Sequence, residues 1–428
     1  MPDFAKALRG LKPPRKIGAE AAPTSPASYD AQLFSLREQL QFLKSGQIRM
    51  ACTTLPEGEI HSNHLGSHYV MHSVYPEDYF HGRVRLSRFC SAELSSLMML
   101  VRAKGTVPPR DRIVFLDTET TGIQGGTGIC PFLVGIGFFV DSEFHMIQYF
   151  IRDFDEEPSM LLALAERLNR FELAVTYNGA AFDIPLLETR FTLARMDSPF
   201  REMSHFDLLF TARKLWRNGH GSCRLVALEN ELISFFRGPD IPGAMIPRAY
   251  FDYLQRRPAP ALQAVFTHNC QDVISLAALT VHAADRVNFE PAALDEPLDL
   301  FSLARMLESS ADWQRAIRLY EMALDGGLPD EFHTKALENV AILYRRAGQH
   351  ERSLAVCKQL LRCSEFSMVG HEGAAIYYER VAQNYEAAVS VLEAGLVRAT
   401  KNRWKRILQM RWDRLQQKRL EFEAIRQQ

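Results

Sequence analysis

The spacing of apolar residues changes character at about residue 113. Apolar runs at residues 113–116, 132–140 and 144–151 have the length of strands, and the short "DSE" link between the last two predicts a hairpin. "PSMLLALAERLNRF" follows with helical spacing and Pro at its start, and "ELAVTYNG" reads as a fourth strand. Most of what remains to about residue 287 is helical. Three strands, a helix, a strand and further helices predict an α/β domain, a mixed sheet flanked by helices, over residues 109–290.

Ahead of it, "YDAQLFSLREQLQFLKSG" has Leu33, Leu36, Leu40 and Leu43 at helical spacing, with Gly46 at its end. Residues 50–85 read as short strands and turns, and "SAELSSLMMLVRAKG" as another helix. These make residues 30–108 an N-terminal α/β region of unassigned role, closed by "GTVPPRDR". Residues 1–29, with "KPPRK" and "AAPTSPAS", read as a flexible tail.

The last third repeats itself. "DWQRAIRLYEMAL", "QHERSLAVCKQLL" and "NYEAAVSVLEAGL" share one apolar pattern, and aligning Ala316, Ser353 and Ala388 gives offsets of 37 and 35 residues. An apolar helix precedes each. Helix pairs at a period near 34 are the mark of tetratricopeptide repeats, so residues 297–400 are expected to be an all-α repeat domain for a protein partner. An ordinary helical bundle is the competing reading. Residues 401–428 form a basic C-terminal helix.

Composition adds limits. The chain has 428 residues, 47% of them hydrophobic, enough for two or three domains with real cores. A formal net charge of −1 argues against a globally basic nucleic-acid binder and leaves room for local basic patches. No apolar run approaches the roughly 20 residues of a membrane span. The seven cysteines form no C-x-x-C pair, which suits free thiols in a cytoplasmic protein.

Candidate chemistry lies at three places. Strand alternation projects Asp117 and Glu119 of "FLDTETTG" to the same side. Asp183 of "TYNGAAFDIPLL" follows a strand at the start of a helix. Asp272 of "FTHNCQDVISLAAL" sits inside an apolar helix, with His268 one turn earlier on the same face. Four converging carboxylates repel unless cations join them, and hard oxygen ligands suit Mg²⁺ or Mn²⁺. Two such ions form a general device for phosphodiester hydrolysis, one activating water and the other neutralising the leaving 3′ oxygen.

D-x-E followed by T-G, then N-G-x-x-F-D, then His or an aromatic four residues before Asp, resembles the DEDD exonuclease superfamily of ribonuclease-H-like fold. Within it, "HNCQDVISL", "HFDLLFTARKLW" and "RLVALENEL" resemble bacterial YprB-type ribonuclease-H-like proteins, which can carry tetratricopeptide repeats. The resemblance implies that Asp117, Glu119, Asp183 and Asp272 bind two Mg²⁺ or Mn²⁺ ions. Asp117 would bridge them, with Glu119 and Asp272 on the water-activating ion. It also implies that His268 serves the attacking water. One departure stands out. The subclass using His places it five residues before the last Asp, and the four-residue spacing normally carries Tyr. This chain has His at the Tyr spacing, where it returns to the Asp272 face.

Asn178 and Gly179 look like a turn that admits substrate backbone, and Phe182 is either a wedge against the terminal base or core. Asp207, before "LLFTARKLW", is expected to be a helix N-cap rather than a fifth ligand. "GGTG" at 125–128 is expected to be a plain turn. His61, His64, His68, His72 and His81 have conceivable metal spacing, but steps of 3, 4 and 4 through strands and turns should scatter the rings, favouring structural or substrate-facing roles. The basic "KNRWKRILQMRWDRLQQKR" and "GRVRLSR" are expected to be solvated faces before nucleic-acid contacts. The function expected is a 3′→5′ exonuclease on single-stranded DNA or RNA ends. The rivals are an inactive scaffold binding nucleic acid or protein, and a structure-specific endonuclease.

Overall fold

The computed structural model describes residues 55–101, 107–122, 128–288, 296–308, 310 and 312–426. The expected tail over 1–29, the helix near 30–46 and most of the "GGTG" turn lie outside the described residues.

Nine strands are described: β1 (Glu59–Asn63), β2 (Gly66–Tyr75), β3 (Phe80–His81), β4 (Val84–Arg85), β5 (Ile113–Thr120), β6 (Pro131–Val140), β7 (Glu143–Phe150), β8 (Leu173–Thr176) and β9 (Ser204–Asp207). Seven form one sheet in the order β1-β2-β7-β6-β5-β8-β9, and β3 pairs with β4 alone. The β6–β7 hairpin forms as the "DSE" turn predicts, with Asp141 in the left-handed region at φ 53°. β8 runs parallel to β5, and β9 parallel to β8. The sheet crosses residue 108: β2 pairs antiparallel with β7 along its length, from Tyr69 opposite Phe150 to Tyr75 opposite Phe144. Strand β9 was not expected, because four residues with polar Ser204, His205 and Asp207 carry almost no alternation.

The helices are α1 (Arg88–Ser91), α2 (Ser95–Val101), α3 (Glu157–Leu168), α4 (Asp183–Leu193), α5 (Leu208–Leu215), α6 (Leu225–Leu232), α7 (Ile246–Leu254) and α8 (Ala261–Asn288), then α9 (Pro297–Glu308), α10 (Trp313–Asp325), α11 (Asp330–Arg346), α12 (His350–Arg362), α13 (Met368–Arg380), α14 (Tyr385–Arg398) and α15 (Asn402–Arg426). The 28-residue α8 positions the site. Buried Val273, Leu276 and Ala277 press it onto the sheet. Strand β6 admits it through Gly135 and Gly137: a Cβ on Gly135 would stand 2.2 Å from Asn269 Oδ1, and one on Gly137 would stand 2.7 Å from Val273 Cγ1. Gln148 of β7 reaches the same helix, donating to Phe266 O and Asn269 Oδ1 at 2.9 Å each. Helix α3 covers the other face of β1, β2 and β7, where His68 meets Ser159 at 2.9 Å.

Helices α9 to α14 stack as three antiparallel pairs, matching the three repeats of the sequence, with α15 against the last. Among the described residues no helix is long and apolar enough to cross a membrane.

Candidate active site

Strand β5 carries four fully buried apolar residues and then Asp117 and Glu119. Asp117 stands opposite Gly135 in the register, so it faces α8. There Asn269 donates to Asp117 Oδ2 at 2.9 Å and to Asp117 O at 3.2 Å. Asp183 is the first residue of α4, buried, and accepts from Thr118 Oγ1 at 2.5 Å. Asp272 and His268 lie one turn apart on α8, with His268 Nε2 3.7 Å from Asp272 Oδ2.

Burial raises the Asp117 carboxyl well above the usual range, and the charges of Asp272 and Asp183 add to it. Glu119 is raised in the same way by burial and then by Asp117, Asp272 and Asp183. Asp183 goes up to about 6, mainly through burial, against the opposing hydrogen bond from Thr118. The strands and helices thus crowd negative charge that the protein leaves largely uncompensated.

Compensation is concentrated at Asp272. Arg237, from the loop between α6 and α7, places Nη2 2.5 Å from Asp272 Oδ1. That contact is an ion pair without hydrogen-bond alignment, since Asp272 Oδ1 has no hydrogen-bond donor among the described residues. The guanidinium is anchored by Glu229, through Nε–Oε2 at 2.7 Å and Nη2–Oε1 at 2.5 Å, and by Asp240 Oδ2 at 3.2 Å. Asp240 Oδ1 also meets His268 Nδ1 at 2.8 Å. Burial, the largest influence, pulls the His268 pKa down; Asp272 and the Asp240 hydrogen bond outweigh it, and the net shift is upward.

An all-oxygen donor set with unneutralised carboxylates fits hard divalent ions at Asp117, Glu119 and Asp183. Asp272 fits less directly, because a guanidinium already faces it. Among the described residues no three His, Cys, Asp or Glu side chains stand in metal-binding geometry.

The structure brings Asn178, Gly179 and Phe182 to the same corner. Asn178 adopts φ 65°, and its N–H donates to Asp207 Oδ1 at 2.8 Å. Gly179 has a packing reason of its own, since a Cβ there would lie 2.3 Å from Thr176 Oγ1. Phe182 is 55% exposed, which excludes the core reading. Asp207 caps α5 through Leu209 N at 3.0 Å and also accepts from Ala180 N at 3.1 Å, so it braces the turn that leads to Asp183.

The histidine-rich stretch departs from expectation. Pairing β1 with β2 sets His61 opposite His68, and alternation adds His72, which meets His145 of β7 at 3.1 Å. The rings share one sheet face instead of scattering, because their even spacing on β2 and the hairpin register coincide. His81 is buried elsewhere, bonded to Ser275 at 2.7 Å and stacked on Phe235. The groove of about 710 Å³ beside His61, His68 and His72 lies on the face away from α8. It presents Glu57, Glu59 and Glu166 against Arg167 and Arg170, a poor match to a phosphate backbone. On α15, Arg411, Arg414 and Lys418 pair with Glu372 and Glu379, and Trp404 and Trp412 pack on the last repeat, so much of its charge is structural. In "GRVRLSR", Arg85 and Arg88 pair with Glu77 and Asp285.

Sequence reasoning missed Arg237, Asp240, Glu229 and Asn269. The available signal was "FRGPDIPG", where Arg and Asp sit in a Gly- and Pro-rich stretch between apolar helices.

Residues 114–284 match the model of the RNase_H superfamily, and residues 300–332 match a tetratricopeptide repeat. The chain is 28% identical over 332 residues to a Bacillus subtilis (strain 168) protein described as "Uncharacterized protein YprB", covering 75% of this chain and 78% of that one.

Proposed function

This is a ribonuclease-H-like chain with C-terminal tetratricopeptide-like repeats, and from that premise we propose that it is a metal-dependent nuclease, a 3′→5′ exonuclease acting on single-stranded DNA or RNA ends. The observation that carries the reading is the set of buried carboxylates from β5, α4 and α8 whose charges raise one another's pKa. Asp117, Glu119, Asp183 and Asp272 would hold two Mg²⁺ or Mn²⁺ ions. When bound, these supply Lewis acidity at the scissile phosphate and the departing oxygen. His268 Nε2 receives the proton of the attacking water, while Asp240 occupies Nδ1 and fixes the ring. Phe182 stacks on the terminal base, and the Asn178 turn bounds the strand's path. The repeats take a protein partner, and the free described cysteines suit a reducing cytoplasm.

An inert scaffold draws support from one feature, the guanidinium at Asp272. The experiment is a panel of end-labelled DNA and RNA, single- and double-stranded, in Mn²⁺ or EDTA. Mononucleotides should leave single-stranded 3′ ends in Mn²⁺ alone. Asp117→Ala should abolish this. Asp207→Ala should keep turnover while losing roughly 1–2 kcal/mol of stability with the cap. Internal cuts would replace the exonuclease reading by an endonuclease, and no cleavage by folded protein in Mn²⁺ would leave the scaffold.

A further inference from the structure

We infer that Arg237 is a built-in counter-ion of the acidic site, so that a divalent ion at Asp272 binds against its guanidinium, whereas an ion at Asp117, Glu119 and Asp183 does not. The inference rests on the metal-dependent reading above and adds an order of filling to it.

The guanidinium is held in place independently of any ligand. Its side chain is 3% exposed, and the Glu229 side chain that grips it through two hydrogen bonds is 0% exposed. Asp240 takes a third bond, and it also holds His268, the neighbour of Asp272 on the helix. Arg237 therefore belongs to a buried scaffold and only reaches toward the acids. Its reach ends on Asp272 Oδ1, with none of its hydrogen bonds going to Asp117, Glu119 or Asp183. Asp117 is instead held by neutral Asn269, and Asp183 by neutral Thr118. One half of the site is thus served by a cation, and the other by dipoles.

A divalent ion approaching Asp272 either pushes the guanidinium aside or sits beside it and bears like-charge repulsion. Both weaken that site relative to the one served by dipoles. The ion pair lacks hydrogen-bond alignment at Oδ1, so the contact can yield without breaking a directional bond. Substrate phosphate, which brings negative charge to the same place, would then favour entry of the second ion. Loading of the catalytic state is in this way tied to the presence of nucleic acid.

The test is the number and affinity of Mn²⁺ ions bound by the full chain without substrate, by calorimetry and by the electron paramagnetic resonance of free Mn²⁺. Wild type should bind one ion at least roughly tenfold more tightly than a second, given the repulsion of a fixed unit charge nearby. The double variant Glu229→Gln with Arg237→Gln removes the guanidinium and its buried partner's charge together. It should bind the second ion at least roughly tenfold more tightly, with the first unchanged. Asp272→Asn offers a second arm should the double variant fold poorly: it should lose the weak class and keep the strong one, whereas Asp117→Asn should lose both. Two equal ions in wild type, loss of the strong class in Asp272→Asn, or an unchanged second ion in the folded double variant would overturn the inference and leave the nuclease reading standing. Absence of any Mn²⁺ binding by wild type would remove the nuclease reading and this inference with it.

Discussion

His268 and Asp240 come from segments with no sequence periodicity in common, yet their side chains meet at 2.8 Å. With Nδ1 engaged, Nε2 is the nitrogen turned toward Asp272, which is how a helix position normally given to Tyr can carry a proton acceptor. His268→Ala should lower turnover by roughly 10²–10⁴-fold with Mn²⁺ binding retained. Asp240→Asn should cost less, roughly 10–100-fold, the usual effect of losing an orienting partner. His268→Tyr should recover part of the loss. Near-wild-type turnover in folded His268→Ala would take it out of the mechanism. A different histidine sets an acid limit on stability. Burial, and then the charge of Arg237, hold His81 down at about 3, while an unfolded histidine titrates near 6.5. The unfolded chain therefore gains a proton first, and stability present above pH 6.5 is lost as pH falls toward 3. The site carboxylates, raised in the fold, act with the opposite sign. The informative quantity is thus the difference between wild type and His81→Gln in urea unfolding, which should move against wild type by about 2 kcal/mol from pH 7 to pH 5. A difference that stays constant would contradict a neutral buried imidazole.

Strand β6 and helix α8 depend on each other at Gly135. Any side chain there meets Asn269, the residue that holds Asp117. Gly135→Ala should cost roughly 1–3 kcal/mol by overpacking and lower activity beyond what the lost stability explains, because the displaced amide no longer fixes Asp117. Thermal melting and turnover per folded molecule, measured together, check this; a stability loss with full turnover would separate the packing from the site. The same pair of elements shows what a sequence can disclose. Strands β5 to β8 and helix α8 were legible from long apolar runs, and the acids because each sits at a recognisable junction of strand, turn or helix. The joining of β2 to the main sheet was not, since its pairing partner β7 lies some seventy residues away and its histidines mask the apolar alternation. Arg237 and Asp240 were illegible for a related reason. They lie in a loop whose course is set by Glu229 and α8, and no local period records those contacts.

Across the whole molecule, one hydrophobic core runs from Val84 through the sheet and α8 to Leu300, Phe301, Tyr320 and Tyr344. The first repeat pair and part of α11 are therefore packed into the ribonuclease-H-like body. Polar links reinforce the join: Asn218 Nδ2 donates to Ser302 Oγ at 3.0 Å, and His220 Nε2 lies 3.7 Å from buried Asp299. Beyond this the repeats have small cores of their own, one around Leu337, Cys357 and Leu360 and another around Leu392, Leu408 and Leu415. Repeat arrays gain stability from nearest neighbours, so removing terminal units costs mainly one interface. Ending the chain at residue 366 strips α13 to α15 and should leave a folded protein with cleavage intact and a modestly lower melting temperature. Ending it at residue 290 exposes the apolar faces that Leu300, Phe301, Leu303 and Leu307 cover, and should give an aggregating or molten product with weak near-ultraviolet circular dichroism. Equal stability of the two truncations would mean that the repeats hang from the body as an independent module. Failure of the 366 truncation alone to fold would place essential packing in the last helices instead.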